Sequence, residues 1–148
     1  MPSDNQQLKT KEDMQKLPSV LLIDDDQTNN FLNELLIKKL DVTERVLVAE
    51  SGNAALDLLA RNAPDAPALI LLDVNMPGMS GIQFLEAYRQ LPAEQRGATI
   101  VVMLTTTMDA RDLGRLDELS IAGLVSKPLT KEKVDNLLQL HFQRQLGS

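Results

Sequence analysis

The chain has no cysteine and no tryptophan among its 148 residues. Disulfides and thiolate metal sites are therefore excluded. One tyrosine and three phenylalanines make up an aromatic content of 3%. That leaves no stacking surface of the kind that binds single-stranded nucleic acid. Basic residues are outnumbered, 15 against 21 acidic, for a net charge of -6. Nucleic-acid binders usually carry a basic face, which argues against that class. No apolar run approaches the roughly 18 residues of a membrane span, and the polar N-terminus lacks a signal-peptide core. The expectation is a cytoplasmic protein with neither a membrane nor a nucleic-acid partner. The single histidine, His141, falls on or near a helical apolar stripe, where packing or helix-end decoration is the simplest role.

What is present is a 43% hydrophobic chain, long enough for one domain with a sizeable core. Residues 1–18 are polar and mixed in charge and read as an N-terminal arm. Four short apolar runs then end in chemically capable side chains. Leu69–Leu72 ends in Asp73, Val20–Ile23 in Asp24, Asp25 and Asp26, the run from Thr99 in Thr105, Thr106 and Thr107, and Ala122–Val125 in Ser126, Lys127 and Pro128. Leu69–Leu72, short, apolar throughout and bounded by Pro64, Pro67, Pro77, Gly78 and Gly81, reads as a strand buried on both faces, and the other three runs read as further strands. A further strand is expected within Val42–Glu50.

Between the strands the period becomes helical. Gln27–Leu40 places Phe31, Leu32, Leu35, Leu36 and Leu40 at three- and four-residue spacing, predicting a face packed on the sheet, with Asp26 as cap. Ser51 caps a second helix with Ala54, Ala55, Leu58 and Leu59, and Gly81 opens a third with Ile82, Phe84, Leu85 and Tyr88. Leu91–Ala98 reads as a loop, Asp109–Leu119 as a short helix and Thr130–Gln145 as a last helix burying Val134, Leu137 and Leu138. Strand and helix alternating five times predicts a doubly wound α/β fold, a five-stranded parallel sheet with helices on both faces. Ligand crevices in such sheets lie at the carboxyl ends of the strands, where the acidic, hydroxyl and lysine residues fall.

The pair Asp24-Asp25, Asp73 with its "NMPGMSG" tail, Thr105-Thr106 and Lys127-Pro128 together resemble the receiver domain of two-component response regulators, over residues 19–146. The resemblance implies the flavodoxin-like strand order 2-1-3-4-5 and a phosphoacceptor at Asp73. It implies Mg²⁺ held by Asp25, Asp73 and the Asn75 backbone carbonyl, with Asp24 acting through water. Thr105, Thr106 and Lys127 would bind the phosphoryl oxygens, and Pro128 would follow a cis peptide bond. The position that usually carries an aromatic switch is here Leu124, which puts aromatic-switch signalling in doubt. The implied protein is a monomeric, single-domain chemotaxis-type receiver with no output domain, catalysing only its own phosphorylation and dephosphorylation. Its partners would be a histidine kinase or histidine phosphotransfer protein and a downstream protein. The alternatives are a receiver module excised from a larger protein, and a phosphohydrolase with an aspartyl nucleophile. The latter pairs its nucleophile with a carboxylate two residues on, where this chain has Asn75.

Overall fold

The computed structural model describes residues 16–62, 65–74, 76, 78–106 and 121–142. Its strands are β1 (Val20–Ile23), β2 (Val46–Ala49), β3 (Leu69–Asp73), β4 (Ile100–Thr105) and β5 (Gly123–Ser126). They form one sheet in the order β2-β1-β3-β4-β5, every neighbouring pair parallel. The helices are α1 (Gln27–Leu40), α2 (Gly52–Arg61), α3 (Gly81–Arg89), the single turn α4 (Ala93–Arg96) and α5 (Lys131–Phe142).

The apolar strands feed two cores because alternate side chains point to opposite faces. Leu21, Ile23, Ile70, Leu72, Val101 and Met103 pack under α2 and α3, against Ala55, Leu59, Phe84 and Leu85. Val20, Leu22, Leu69, Leu71, Val102 and Leu104 pack under α1 and α5, against Ile37, Leu40, Val134, Leu137 and Leu138. Burial on both faces explains why these strands read as continuous apolar runs.

The structure corrects the expected packing face of α1. Phe31, Leu32 and Leu35 are 62%, 53% and 56% exposed, whereas Asn30, Ile37 and Leu40 are buried. The rotation is set at the helix start. The Asp26 carboxylate caps the backbone N–H groups of Thr28 and Asn29, and Asn30 Nδ2 donates to the Asp24 carbonyl at 2.7 Å. With Asn30 turned inward, Phe31 lies roughly 100° further round the helix and points out. In α2, Ala54 is likewise exposed and Ala55 buried. The stretch Leu91–Ala98 is not wholly a loop, since Ala93–Arg96 closes one helical turn. Leu17 is drawn into the domain: it is buried, bridges Thr43 and exchanges backbone hydrogen bonds with Val42 and Glu44. The helix expected at Asp109–Leu119, together with Thr107, Asn75 and residues 143–145, lies outside the described residues.

Candidate functional site: an acidic cluster at the strand ends

Parallel strands put their carboxyl ends at one edge, so Asp24, Asp73, Thr105 and Lys127 gather there. Ile23 of β1 pairs with Leu72 of β3, which sets Asp24, one residue on, beside Asp73. Asp73 pairs with Leu104, and Thr105 with Ser126. The Lys127 N–H then donates to the Thr105 carbonyl at 2.9 Å, tying the lysine backbone to the end of β4. The Lys127–Pro128 peptide bond is cis.

Carboxylate oxygens of Asp24, Asp25 and Asp73 all lie within 4.8 Å of one another. Asp24 and Asp73 are buried, at 3% and 5% exposure, while Asp25 is exposed. The Lys127 ammonium lies 2.8 Å from Asp73 Oδ1 and 3.3 Å from Asp24 Oδ2. Burial acts to lower the pKa of this lysine. The hydrogen bond to Asp73 and the charges of Asp24 and Asp73 outweigh it and hold the ammonium above the ordinary lysine range. Thr105 is buried at the end of β4, Thr106 is exposed beyond it, and Leu124 on β5 is 42% exposed.

The sequence matches the response regulator receiver domain family over residues 20–139. The chain belongs to that family. The receiver is 32% identical over 120 residues to the sensor histidine kinase GacS of Pseudomonas protegens, covering 80% of this chain but 12% of the kinase. It thus spans about an eighth of the length of that relative. With the two-component response regulator ARR22 of Arabidopsis thaliana it shares 30% identity over 90% of both chains. A two component response regulator from Cytophaga hutchinsonii has a crystal structure superposing with a TM-score of 0.77 at 34% identity, over 88% of this chain and all of that one. The parallel sheet in the order 2-1-3-4-5 is the fold of this family. The chain is thus a phosphoacceptor receiver of the two-component type.

Residues the motif does not include help to shape the receiver's site. Asp24 Oδ1 accepts the Asp26 N–H at 2.9 Å, and Oδ2 faces Asn29 Nδ2 at 3.4 Å. With Asn30 on its carbonyl, Asp24 is fixed by the first turn of α1 at both backbone and carboxylate. The signal in the sequence is two amides five and six residues after Asp24, one helical turn beyond the cap. Gly81 supports Asp73 from the other side. A Cβ there would meet the Asp73 carbonyl at 2.7 Å and Val74 Cα at 3.0 Å, so only glycine lets α3 start this close to the β3 end. A Ser80–Gln83 capping box fixes that start.

The donor set suits a hard divalent cation. Three carboxylates offer only oxygen, two of them are buried, and only one ammonium among the described residues reaches them. Mg²⁺ is held by one or two carboxylates while keeping waters for a phosphate oxygen. No described helix is long and apolar enough to cross a membrane.

Proposed function

We propose that Asp73 is the residue phosphorylated, with Asp25 and Asp73 as direct Mg²⁺ ligands, Asn75 contributing its backbone carbonyl and Asp24 acting through water. The observation that carries this reading is the Lys127 ammonium within contact of Asp73 and Asp24 in a cluster of three carboxylates. A carboxylate oxygen of Asp73 attacks phosphorus in line as the bond from phosphorus to the donor breaks, giving an acyl phosphate on Asp73. The bond broken is P–N, with neutral imidazole leaving, from a phosphohistidine, or P–O, with acetate leaving, from acetyl phosphate. Lys127, already 2.8 Å from Asp73, presents a point charge to one phosphoryl oxygen. The Thr105 hydroxyl and the Thr106 N–H supply hydrogen bonds to others. Mg²⁺, when bound, offsets the carboxylate charge and that of the transferring phosphoryl group.

The immediate donor is a histidine kinase or phosphotransfer protein, and the signal passes to a downstream protein. Leu124 has no ring to turn inward and no polar edge, so readout relies on Thr105 and the β5 edge beside it. The receiver, residues 19–146, acts in the cytoplasm as a monomer, its chemistry confined to making and hydrolysing its own acyl phosphate. Two arrangements have support. One is that of a two-component response regulator, the description of ARR22, to which the chain is 30% identical. The GacS match favours a receiver carried by a larger kinase.

Incubation with acetyl phosphate and Mg²⁺ tests the chemistry by intact mass. One phosphoryl adduct is expected, removed by hydroxylamine and prevented by chelator. A hydroxylamine-stable adduct, or labelling indifferent to chelator, would contradict it.

A further inference from the structure

Lys133 lies in the first turn of α5, where Thr130 Oγ1 accepts its backbone N–H at 3.2 Å. This is the unfavourable end of a helix for a cation, because the macrodipole is positive there. The side chain nevertheless folds back toward the turn rather than out to solvent. Its ammonium donates to the Ser126 carbonyl at 2.7 Å, to Ser126 Oγ at 3.2 Å and to the Pro128 carbonyl at 2.9 Å. An ammonium has three donors and no acceptor, so these three oxygens match its whole capacity. All three belong to the two residues flanking Lys127.

We propose that Lys133 is a positioning residue for Lys127, clamping the Ser126–Pro128 turn from which the Lys127 side chain reaches Asp24 and Asp73. The proposal rests on Lys127 acting in phosphorylation at Asp73. The turn has two other anchors. On the strand side the Lys127 N–H is held by the Thr105 carbonyl, and on the helix side Leu129 and Val134 are buried. Neither fixes the carbonyls on both sides of Lys127. The Lys133 ammonium does, joining the end of β5 to the residue after the cis bond through charge-assisted hydrogen bonds. Small misplacements of a charged group at a phosphoryl-transfer site are costly, because catalysis there is mostly positioning. Lys133 touches none of the carboxylates in the hydrogen bonds described, so its influence on the reaction runs through Lys127.

A double-mutant cycle on the full chain tests this. Initial rates of labelling by acetyl phosphate in saturating Mg²⁺ are compared for wild type, Lys133→Met, Lys127→Ala and the double variant. Calorimetry gives the Mg²⁺ affinity of each. Lys133→Met is expected to slow labelling about tenfold, as a sub-ångström misplacement would. Its Mg²⁺ affinity should be unchanged or higher, since the carboxylates stay in place. Once Lys127 is already alanine, the same change should alter the rate less than about twofold, the non-additivity of residues acting as a unit. Lys133→Arg, which keeps charge and donors, should recover most of the rate. Should Lys133→Met fail to fold, Lys133→Gln carries the same cycle. A rate equal to wild type, an equal loss in both backgrounds, or weakened Mg²⁺ binding would overturn the role of Lys133. If wild type itself takes no phosphoryl group, or Asp73→Asn labels equally, the acceptor assignment fails instead.

Discussion

Replacing Lys127 by methionine isolates the electrostatics of the site, because the stem is kept and only the ammonium is lost. In the metal-free protein that ammonium faces Asp73 Oδ1 at 2.8 Å and Asp24 Oδ2 at 3.3 Å. At an effective dielectric of about 20, the two attractions amount to about 6 and 5 kcal/mol before desolvation. Desolvating the three groups offsets most of that, so the sum is not the expected change. Removing one partner of a buried pair typically costs about 3–5 kcal/mol, since a buried charge is left uncompensated. Here two carboxylates, each under a tenth exposed, are left facing one another, but the lysine side chain retains 20% exposure. The lower end, about 3 kcal/mol, is therefore expected for Lys127→Met in urea unfolding with chelator present. Saturating Mg²⁺ supplies a second source of positive charge and should shrink the loss by about 1.4 kcal/mol or more. By linkage, Mg²⁺ then binds the variant about tenfold more tightly than wild type. Urea melts with and without Mg²⁺, together with calorimetric Mg²⁺ titrations, measure both halves. A variant as stable as wild type without metal, or an identical loss in both conditions, would refute this account of the site.

Three further outcomes follow from the packing and the charges. Leu35→Ser on the exposed face of α1 should change stability by within about 0.5 kcal/mol, whereas Ile37→Ala two residues on should cost about 2–5 kcal/mol; urea midpoints compare them directly. Gly81→Ala should destabilise by about 1–3 kcal/mol despite alanine's better helix propensity, because its Cβ would press on the Asp73 carbonyl, and it should slow acetyl phosphate labelling as well. Lys127 has its folded-state pKa raised, so its stabilisation is full below the ordinary lysine value of 10.5 and is lost as pH rises through the folded pKa. The stability gap between wild type and Lys127→Met in chelator should accordingly be flat at neutral pH and narrow in strongly alkaline urea melts. Burial raises the Tyr88 pKa too, but that contribution is common to both proteins and cancels in the difference.

The sheet and the reactive cluster were legible in the sequence for one physical reason. A strand buried on both faces must be apolar until it reaches the crevice, so Asp24, Asp73 and Thr105 stand out where three such runs end. By contrast, β5 is an edge strand with Leu124 exposed, and Lys127 stands out there as the cation that ends a short apolar run before Pro128. The face of α1 was not legible. Helical spacing of Phe31, Leu32 and Leu35 signals a stripe but not its direction. That direction is decided by the Asp26 cap and the buried Asn30–Asp24 hydrogen bond, which an apolar pattern does not register. Asn29 and Asn30 were missed as supports of Asp24 because their role needs the helix placed against β1. Lys133 carries no signal in the sequence, since the turn it grips is brought to it only by the path from β5 into α5.

The central claim, that Asp73 takes the phosphoryl group, is tested most directly by intact mass on Asp73→Asn beside wild type, each treated with acetyl phosphate and Mg²⁺. Asparagine occupies nearly the same volume and leaves Asp24, Asp25 and Lys127 in place, so the variant should fold and still lack the nucleophilic carboxylate. The account predicts a single phosphoryl adduct on wild type and none on the variant. An adduct of equal yield on Asp73→Asn would contradict it.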